Sequence, residues 1–88
     1  MITNLGLQEL SGLSISEIAS TISRDWKNVN YAAKPYLDAM FSLNDIKDNY
    51  ILDTGYSVVA YFLCNANSWK GPVAREVKTE LKKRLKNS

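Results

Sequence analysis

The chain of 88 residues contains no histidine and only one cysteine, Cys64. Without histidine it lacks the commonest general acid–base catalyst, the usual base that activates a serine or cysteine nucleophile, and most zinc ligand sets. A single cysteine excludes an intramolecular disulfide, and its place in an apolar segment predicts a buried, slowly reacting thiol in a reducing compartment. We therefore predict a protein that is not an enzyme and binds neither metal nor other cofactor.

Long apolar runs are also scarce. The longest apolar stretch, around residues 58–64, is far shorter than the roughly 20 residues that a membrane-spanning helix needs. The first residues, Met-Ile-Thr-Asn-Leu-Gly, lack the basic start and apolar centre of a secretory signal. These absences predict a cytoplasmic protein with no membrane partner.

The remaining composition is that of a globular protein, with 45% hydrophobic and 23% charged residues. A chain of this length forms one domain, residues 1–88, with a real but modest core. The stretch from Tyr56 to Cys64 is apolar on every side when drawn as a helix, which is typical of a buried helix. We predict that this segment is the centre of the core.

Hydrophobic periodicity predicts four main helices. A Ser14–Glu17 capping box marks the start of the first, Pro35 fits the first turn of the second, and Gly71-Pro72 separates the last two. The predicted ranges are 15 to about 28, 32 to about 43, 54 to about 68, and from residue 72 onward. The predicted fold class is all-α, a compact single-domain bundle of four main helices.

Two segments fall outside these helices. Residues 1–13 are rich in leucine but interrupted by glycines, and we predict an N-terminal arm or a short extra helix there. Residues 44–53 form the main loop, which contains three aspartates. An EF-hand loop would also need a glycine at its sixth position and a glutamate at its twelfth. Both are missing, so we interpret the segment as a solvated acidic loop rather than a calcium site.

The triplet Asp53-Thr54-Gly55 matches the active-site motif of aspartic proteases, whose short viral members are homodimers. Two copies of Asp53 would share a proton across a two-fold axis and activate water. The helical periodicity of the flanking segments and the small number of glycines argue against this all-β fold. We keep a homodimeric protease as an alternative and expect Asp53 to cap the central helix.

Charge is distributed unevenly along the chain. Residues 70–88 carry seven basic residues against two acidic ones, a net charge of +5, whereas residues 1–69 have a net charge of −3. A basic helix can contact the phosphates of a nucleic acid, and it also complements its own C-terminal dipole. The candidate phosphate contacts are Arg75, Lys78, Lys82, Lys83 and Lys86. Weak, non-specific binding to nucleic acid is thus an alternative function.

Aromatic residues make up 10% of the chain, and four of them lie at predicted helix ends or in loops. Aromatic side chains are enriched at protein interfaces. The candidate interaction residues are Trp26, Tyr31, Tyr50 and Trp69, although we expect Trp69 to fold back onto the core. The leading hypothesis is a protein–protein interaction or accessory module whose partner is another protein or a second copy of the chain.

Several segments together resemble a group of small proteins found in bacterial and phage genomes. They are Asp25-Trp26-Lys27-Asn28, Pro35 to Met40, Asp48-Asn49-Tyr50, Ser57 to Ala66 and Trp69 to Lys78. The resemblance covers about residues 16 to 86. It implies a stand-alone domain and a phage or prophage setting, and because the group has no assigned activity, it transfers no binding residue to this chain.

Overall fold

The structure, a computed structural model, describes residues 10–51 and 53–87, with only the backbone described at Tyr50. Its elements are helices α1 (Ile15–Asp25) and α2 (Lys34–Met40), strands β1 (Asn49–Tyr50) and β2 (Asp53–Thr54), and helices α3 (Gly55–Cys64) and α4 (Pro72–Lys86). The prediction of a mainly helical fold is confirmed. The predicted arm or short helix of residues 1–13 lies largely outside the described residues. Of its described part, residues 10–13, Leu10 and Ser11 are helical.

Helix α1 begins with the predicted capping box. The Ser14 hydroxyl accepts a hydrogen bond from the Glu17 amide at 3.1 Å, and the Ser14 amide donates to the Glu17 carboxylate at 2.8 Å. The helix ends at Asp25, three residues earlier than predicted, because Trp26 adopts an extended conformation. Its buried face consists of Ile15, Ile18, Ala19 and Ile22.

Helix α2 is shorter than its predicted range at both ends. The segment before it is a turn in which the Asn30 carbonyl accepts from the amides of Ala33 and Lys34. After Met40 the hydrogen bonds tighten to a spacing of three residues and end at Leu43. The carbonyls of Leu43 and Asn44 then accept hydrogen bonds from the first turn of α1, at 2.8 and 2.9 Å. The end of this turn therefore satisfies amides that a helix cannot satisfy by itself.

The segment predicted as the acidic loop contains most of a short antiparallel hairpin, with two residues in each strand, that was not predicted from the sequence. The Asp48 carboxylate accepts from the amides of Asn44 and Asp45, at 2.8 and 3.1 Å. In the hairpin, β1 pairs with β2 in the register Asn49 with Thr54 and Tyr50 with Asp53. The aspartate at position 48 thus organises its own loop by capping it, in line with the interpretation of a solvated acidic loop.

Helix α3 is capped by Thr54, so the prediction that Asp53 is the cap is wrong. The Thr54 hydroxyl accepts from the Ser57 amide at 3.1 Å, while Asp53 is exposed on β2. Gly55 has a steric role, because a Cβ atom there would lie 2.8 Å from the Ile46 carbonyl oxygen. The Asp53-Thr54-Gly55 triplet is therefore a strand end followed by a helix start, not the β-structure that the protease hypothesis requires.

The core is formed where each helix packs on two others. Helix α2 contacts α1 and α3, and α4 contacts α3 and α1. Phe62, Val59, Met40, Val77 and Leu81 are among the fully buried side chains. Helix α4 begins after Gly71, whose φ of 114° strongly favours glycine, and has Pro72 in its first turn. None of the helices in the described part of the chain is long and apolar enough to cross a bilayer.

The C-terminal half of α4 contains the one buried charged side chain among the described residues. The Glu80 carboxylate, on a residue only 6% exposed, accepts from Arg84 Nε at 2.7 Å. Arg84 Nη2 also donates to the Leu10 carbonyl at 2.8 Å. The Glu80–Arg84 pair therefore does more than support its own helix, because Arg84 also ties α4 to the start of the described chain.

Candidate interaction surfaces

The two tryptophans predicted as interaction residues form a stacked pair in the core. The rings of Trp26 and Trp69 lie 5.7 Å apart with an angle of 8° between their planes, and Phe62 meets Trp26 edge-on at 6.2 Å. Trp69 Nε1 donates to the Asp25 carboxylate at 2.9 Å. Both tryptophans are buried, so predicting them as exposed interface residues is wrong. The expectation that Trp69 folds back onto the core is confirmed.

The two predicted tyrosines have different outcomes. Tyr31 is 89% exposed in the turn before α2. The side chain of Tyr50 lies outside the described residues. Tyr31 is accordingly the one predicted interaction residue whose exposure the structure supports.

A second set of tyrosines forms an uncharged surface on the outer side of α3. Tyr56 and Tyr61 are 45% and 54% exposed, and the Tyr61 ring stacks on Tyr36 of α2 at 5.5 Å. Cys64 is exposed and Ala60 is half-buried on the same helix. Helix α3 contains no charged residue. We call the surface formed by Tyr36, Tyr56, Ala60, Tyr61 and Cys64 the tyrosine face.

The tyrosine face overturns the prediction that Cys64 is buried. Helix α3 buries Val58, Val59 and Phe62 against its neighbours and leaves its other side open. Tyrosine contributes to an apolar pattern in the sequence, yet its ring ends in a hydroxyl that is stable in water. Two tyrosines in a helix without any charge were the signal that could have identified this surface.

The basic residues of α4 do not act as one set. Arg75, Lys82, Lys83 and Lys86 are exposed and form no ion pair with any other described residue. Lys78 is half-buried, donates from Nζ to the Trp69 carbonyl at 2.6 Å and lies 5.9 Å from the centroid of the Trp69 ring. Burial, followed by the positive charges of Lys70 and Lys82, lowers the pKa of Lys78 below its ordinary value. Lys78 therefore has a structural role at the tryptophan pair.

Two hollows lie next to basic residues of α4. One, of about 210 Å³, lies at the start of α4 and is lined by Trp69, Lys70, Arg75 and Lys78 among others. The other, of about 310 Å³, is lined by Lys83 and Arg84 of α4 and by Asp45 and Lys47 of the acidic loop, among others. This hollow therefore has three cations and one carboxylate in its lining.

A cleft of about 420 Å³ opens between the end of α1 and α2. Its apolar lining comes from Trp26, Val29, Leu37 and Phe41. Its charged lining comes from Lys27, Lys34 and Asp38. We call it the Trp26 cleft. It joins residues from two helices and a turn, so no single sequence motif could have predicted it.

The described residues contain no group of three or more His, Cys, Asp or Glu side chains arranged to hold a metal ion. The surfaces described above present aromatic and aliphatic side chains, hydroxyl groups and charged groups. Comparisons of the chain with protein families, with curated proteins and with solved structures found no match.

Proposed function

We propose that this chain is a small, non-enzymatic helical bundle that acts in the cytoplasm by binding another protein through the tyrosine face. The observation that carries the proposal is the exposure of Tyr56 and Tyr61 on a helix without charged residues. Interfaces are enriched in aromatic residues and depleted of charge at their centre. A partner can cover a surface of this composition without burying a charged group that lacks an ion-pair partner.

The orientation of the tyrosines also favours binding. The stack between Tyr36 and Tyr61 fixes the two rings before any partner arrives, and side chains that are already ordered lose less entropy on binding. Tyrosine is among the residues that dominate the energy of protein interfaces. The phage or prophage setting implied by the sequence resemblance is part of this proposal, and a second copy of the chain is one form of the partner.

Photo-cross-linking from Cys64 tests this proposal. The chain has one cysteine, and its exposure lets a maleimide–benzophenone label attach within the tyrosine face of the native protein. We expect one dominant cross-linked species in lysate of the host cells, and we expect Tyr61→Asp to abolish it, because a buried carboxylate without a partner costs several kcal/mol. Mass spectrometry identifies the cross-linked chain.

The matched control moves the label to α4. In the Cys64→Ser, Thr79→Cys variant the only thiol lies at an exposed position of α4. A label on this variant should not give the cross-linked species that a label on Cys64 gives. Equal cross-linking from both positions, or a species that survives Tyr61→Asp, would show that the tyrosine face is not the binding surface.

A second candidate function is non-specific binding of nucleic acid by α4. It is favoured by four exposed cations, Arg75, Lys82, Lys83 and Lys86, that have no ion-pair partner among the described residues. It is opposed by the engagement of Lys78, whose ammonium donates to the Trp69 carbonyl. The net charge of −3 on residues 1–69 also repels a polyanion.

A titration with mixed-sequence DNA and RNA separates the two functions. If α4 binds phosphates, affinity should fall steeply with salt, and Lys82→Gln should lower the slope of log K against log salt by about one. Lys78→Gln should leave the slope nearly unchanged, because this ammonium already donates to the Trp69 carbonyl. Absence of binding at low salt would end the nucleic-acid candidate.

A further inference from the structure

We propose that the Trp26 cleft is a second binding site, which takes an apolar side chain flanked by carboxylates on an acidic peptide segment. The site does not depend on the tyrosine face, because it uses a different side of α2. Leu37, Asp38 and Phe41 line the cleft, whereas Tyr36 stacks on α3. Evidence against binding at one of these two surfaces therefore does not count against binding at the other.

The size of the cleft matches a binding site. At about 420 Å³ it falls within the range of roughly 300–1,000 Å³ that is usual for ligand pockets, and its lining combines four apolar side chains with five polar or charged ones. Phe41, which is 43% exposed, stands at the cleft just beyond the end of α2. An aromatic or aliphatic side chain placed there would cover Phe41 and the half-buried Val29, while the buried Trp26 and Leu37 form the floor of the cleft.

The backbone around the cleft is already fixed. Trp26 donates its amide to the Ile22 carbonyl at 2.8 Å, and Phe41 donates its amide to the Asp38 carbonyl at 3.2 Å. Trp26 is held from behind by its stack on Trp69. Both walls thus belong to packed elements, so a ligand need not pay for ordering them.

Charge selects the occupant. Lys27 is exposed and has no ion-pair partner among the described residues. Lys34 pairs with Asp38 at 3.3 Å, but both side chains are about 60% exposed, so the pair is weak and can rearrange. The lining therefore has two cations against one carboxylate. This excess favours a ligand with carboxylates beside its apolar group, and the open groove admits an extended peptide chain.

Three blocked tripeptides test the site, each titrated into the full chain labelled with ¹⁵N. The probes are acetyl-Asp-Phe-Asp-amide, acetyl-Lys-Phe-Lys-amide and acetyl-Asp-Ala-Asp-amide. We expect the first to bind with a Kd on the order of 1 mM and to shift the backbone amides of Lys27, Val29 and Phe41. The second and third should bind at least about tenfold more weakly, because each lacks either the charge or the apolar group.

Two exposed positions supply the variants. Lys27→Gln should weaken binding of the acidic peptide by about two- to fivefold, as expected for one exposed ion pair. It should also reduce the ratio between the affinities for the acidic and the basic peptide. Phe41→Ser should abolish binding, with circular dichroism confirming the fold. Lys82→Gln on α4 is the control with the same loss of charge and should change nothing. Equal binding of acetyl-Asp-Ala-Asp-amide, shifts centred on α4, unchanged binding by the Phe41→Ser variant, or no binding up to about 10 mM would each overturn the proposal.

Discussion

Replacing Phe62 with alanine should lower the free energy of unfolding by about 3–5 kcal/mol, the usual cost of removing a buried phenylalanine ring. Phe62 is fully buried, and its ring meets Trp26 edge-on at 6.2 Å. Trp26 in turn stacks on Trp69, so the cavity left by Phe62→Ala would remove support from both tryptophans. Urea unfolding followed by tryptophan fluorescence measures the effect.

Tyr56→Ala is the matched control for this prediction. Tyr56 lies on the same helix and also loses an aromatic ring, but it is 45% exposed. We expect it to cost about 1 kcal/mol or less, because surface substitutions have small effects. Similar losses for both variants would mean that Phe62 does not occupy the centre of the core.

Replacing Arg84 with methionine should have the second-largest effect, a loss of about 3 kcal/mol, because it leaves the buried Glu80 carboxylate without its partner. The side chains of Arg84 and Glu80 are only 19% and 7% exposed. The variant also loses the hydrogen bond from Arg84 to the Leu10 carbonyl. Methionine keeps most of the aliphatic length of arginine, so the main change is electrostatic.

A double variant identifies the source of that loss. Adding Glu80→Leu to Arg84→Met removes the stranded carboxylate and should restore most of the stability, since a buried ion pair is often no better than an apolar pair. If the double variant stays as unstable as Arg84→Met, the bond to Leu10 is the larger contribution. Lys34→Met breaks the exposed pair with Asp38 and should cost less than about 1 kcal/mol.

The features that the sequence predicts well are local. The capping box at Ser14 and Glu17 is complete within four residues, and its hydrogen bonds form as expected. Gly71 and Pro72 separate two helices through their own backbone preferences. In each case the relevant free energy comes from neighbouring residues, so no distant part of the fold can change the outcome.

The features that it predicts poorly depend on distant contacts. Trp26 and Trp69 are 43 positions apart in the sequence, and the tertiary fold stacks their rings although one follows α1 and the other precedes α4. Helix α1 ends at Asp25 rather than at about residue 28, and the next residue, Trp26, is extended and has its ring buried in the core. The candidate surfaces were therefore misassigned at the tryptophans.

The tyrosine face could not be predicted from the sequence for a different reason. A helix that is apolar on every side can be buried on every side or can keep one side for a partner, and composition does not separate these cases. Among the described residues, Tyr61 and Cys64 of α3 are exposed, whereas Val58, Val59 and Phe62 of the same helix are buried against its neighbours. The number of helices available to cover α3 is a property of the whole chain.

The order of helix contacts has a consequence for folding. Helices α1 and α2, α2 and α3, and α3 and α4 are neighbours in the chain and also in space. These three contacts close short loops at small entropic cost and can form early. The contact of α4 with α1 is different, because it joins the first and the last of these helices. The hydrogen bond from Arg84 to Leu10, which lies just before α1, spans 74 positions. We expect the packing of α4 on α1 to form last, so a chain still leaving the ribosome exposes the part of the apolar face of α1 that α4 covers until α4 has emerged.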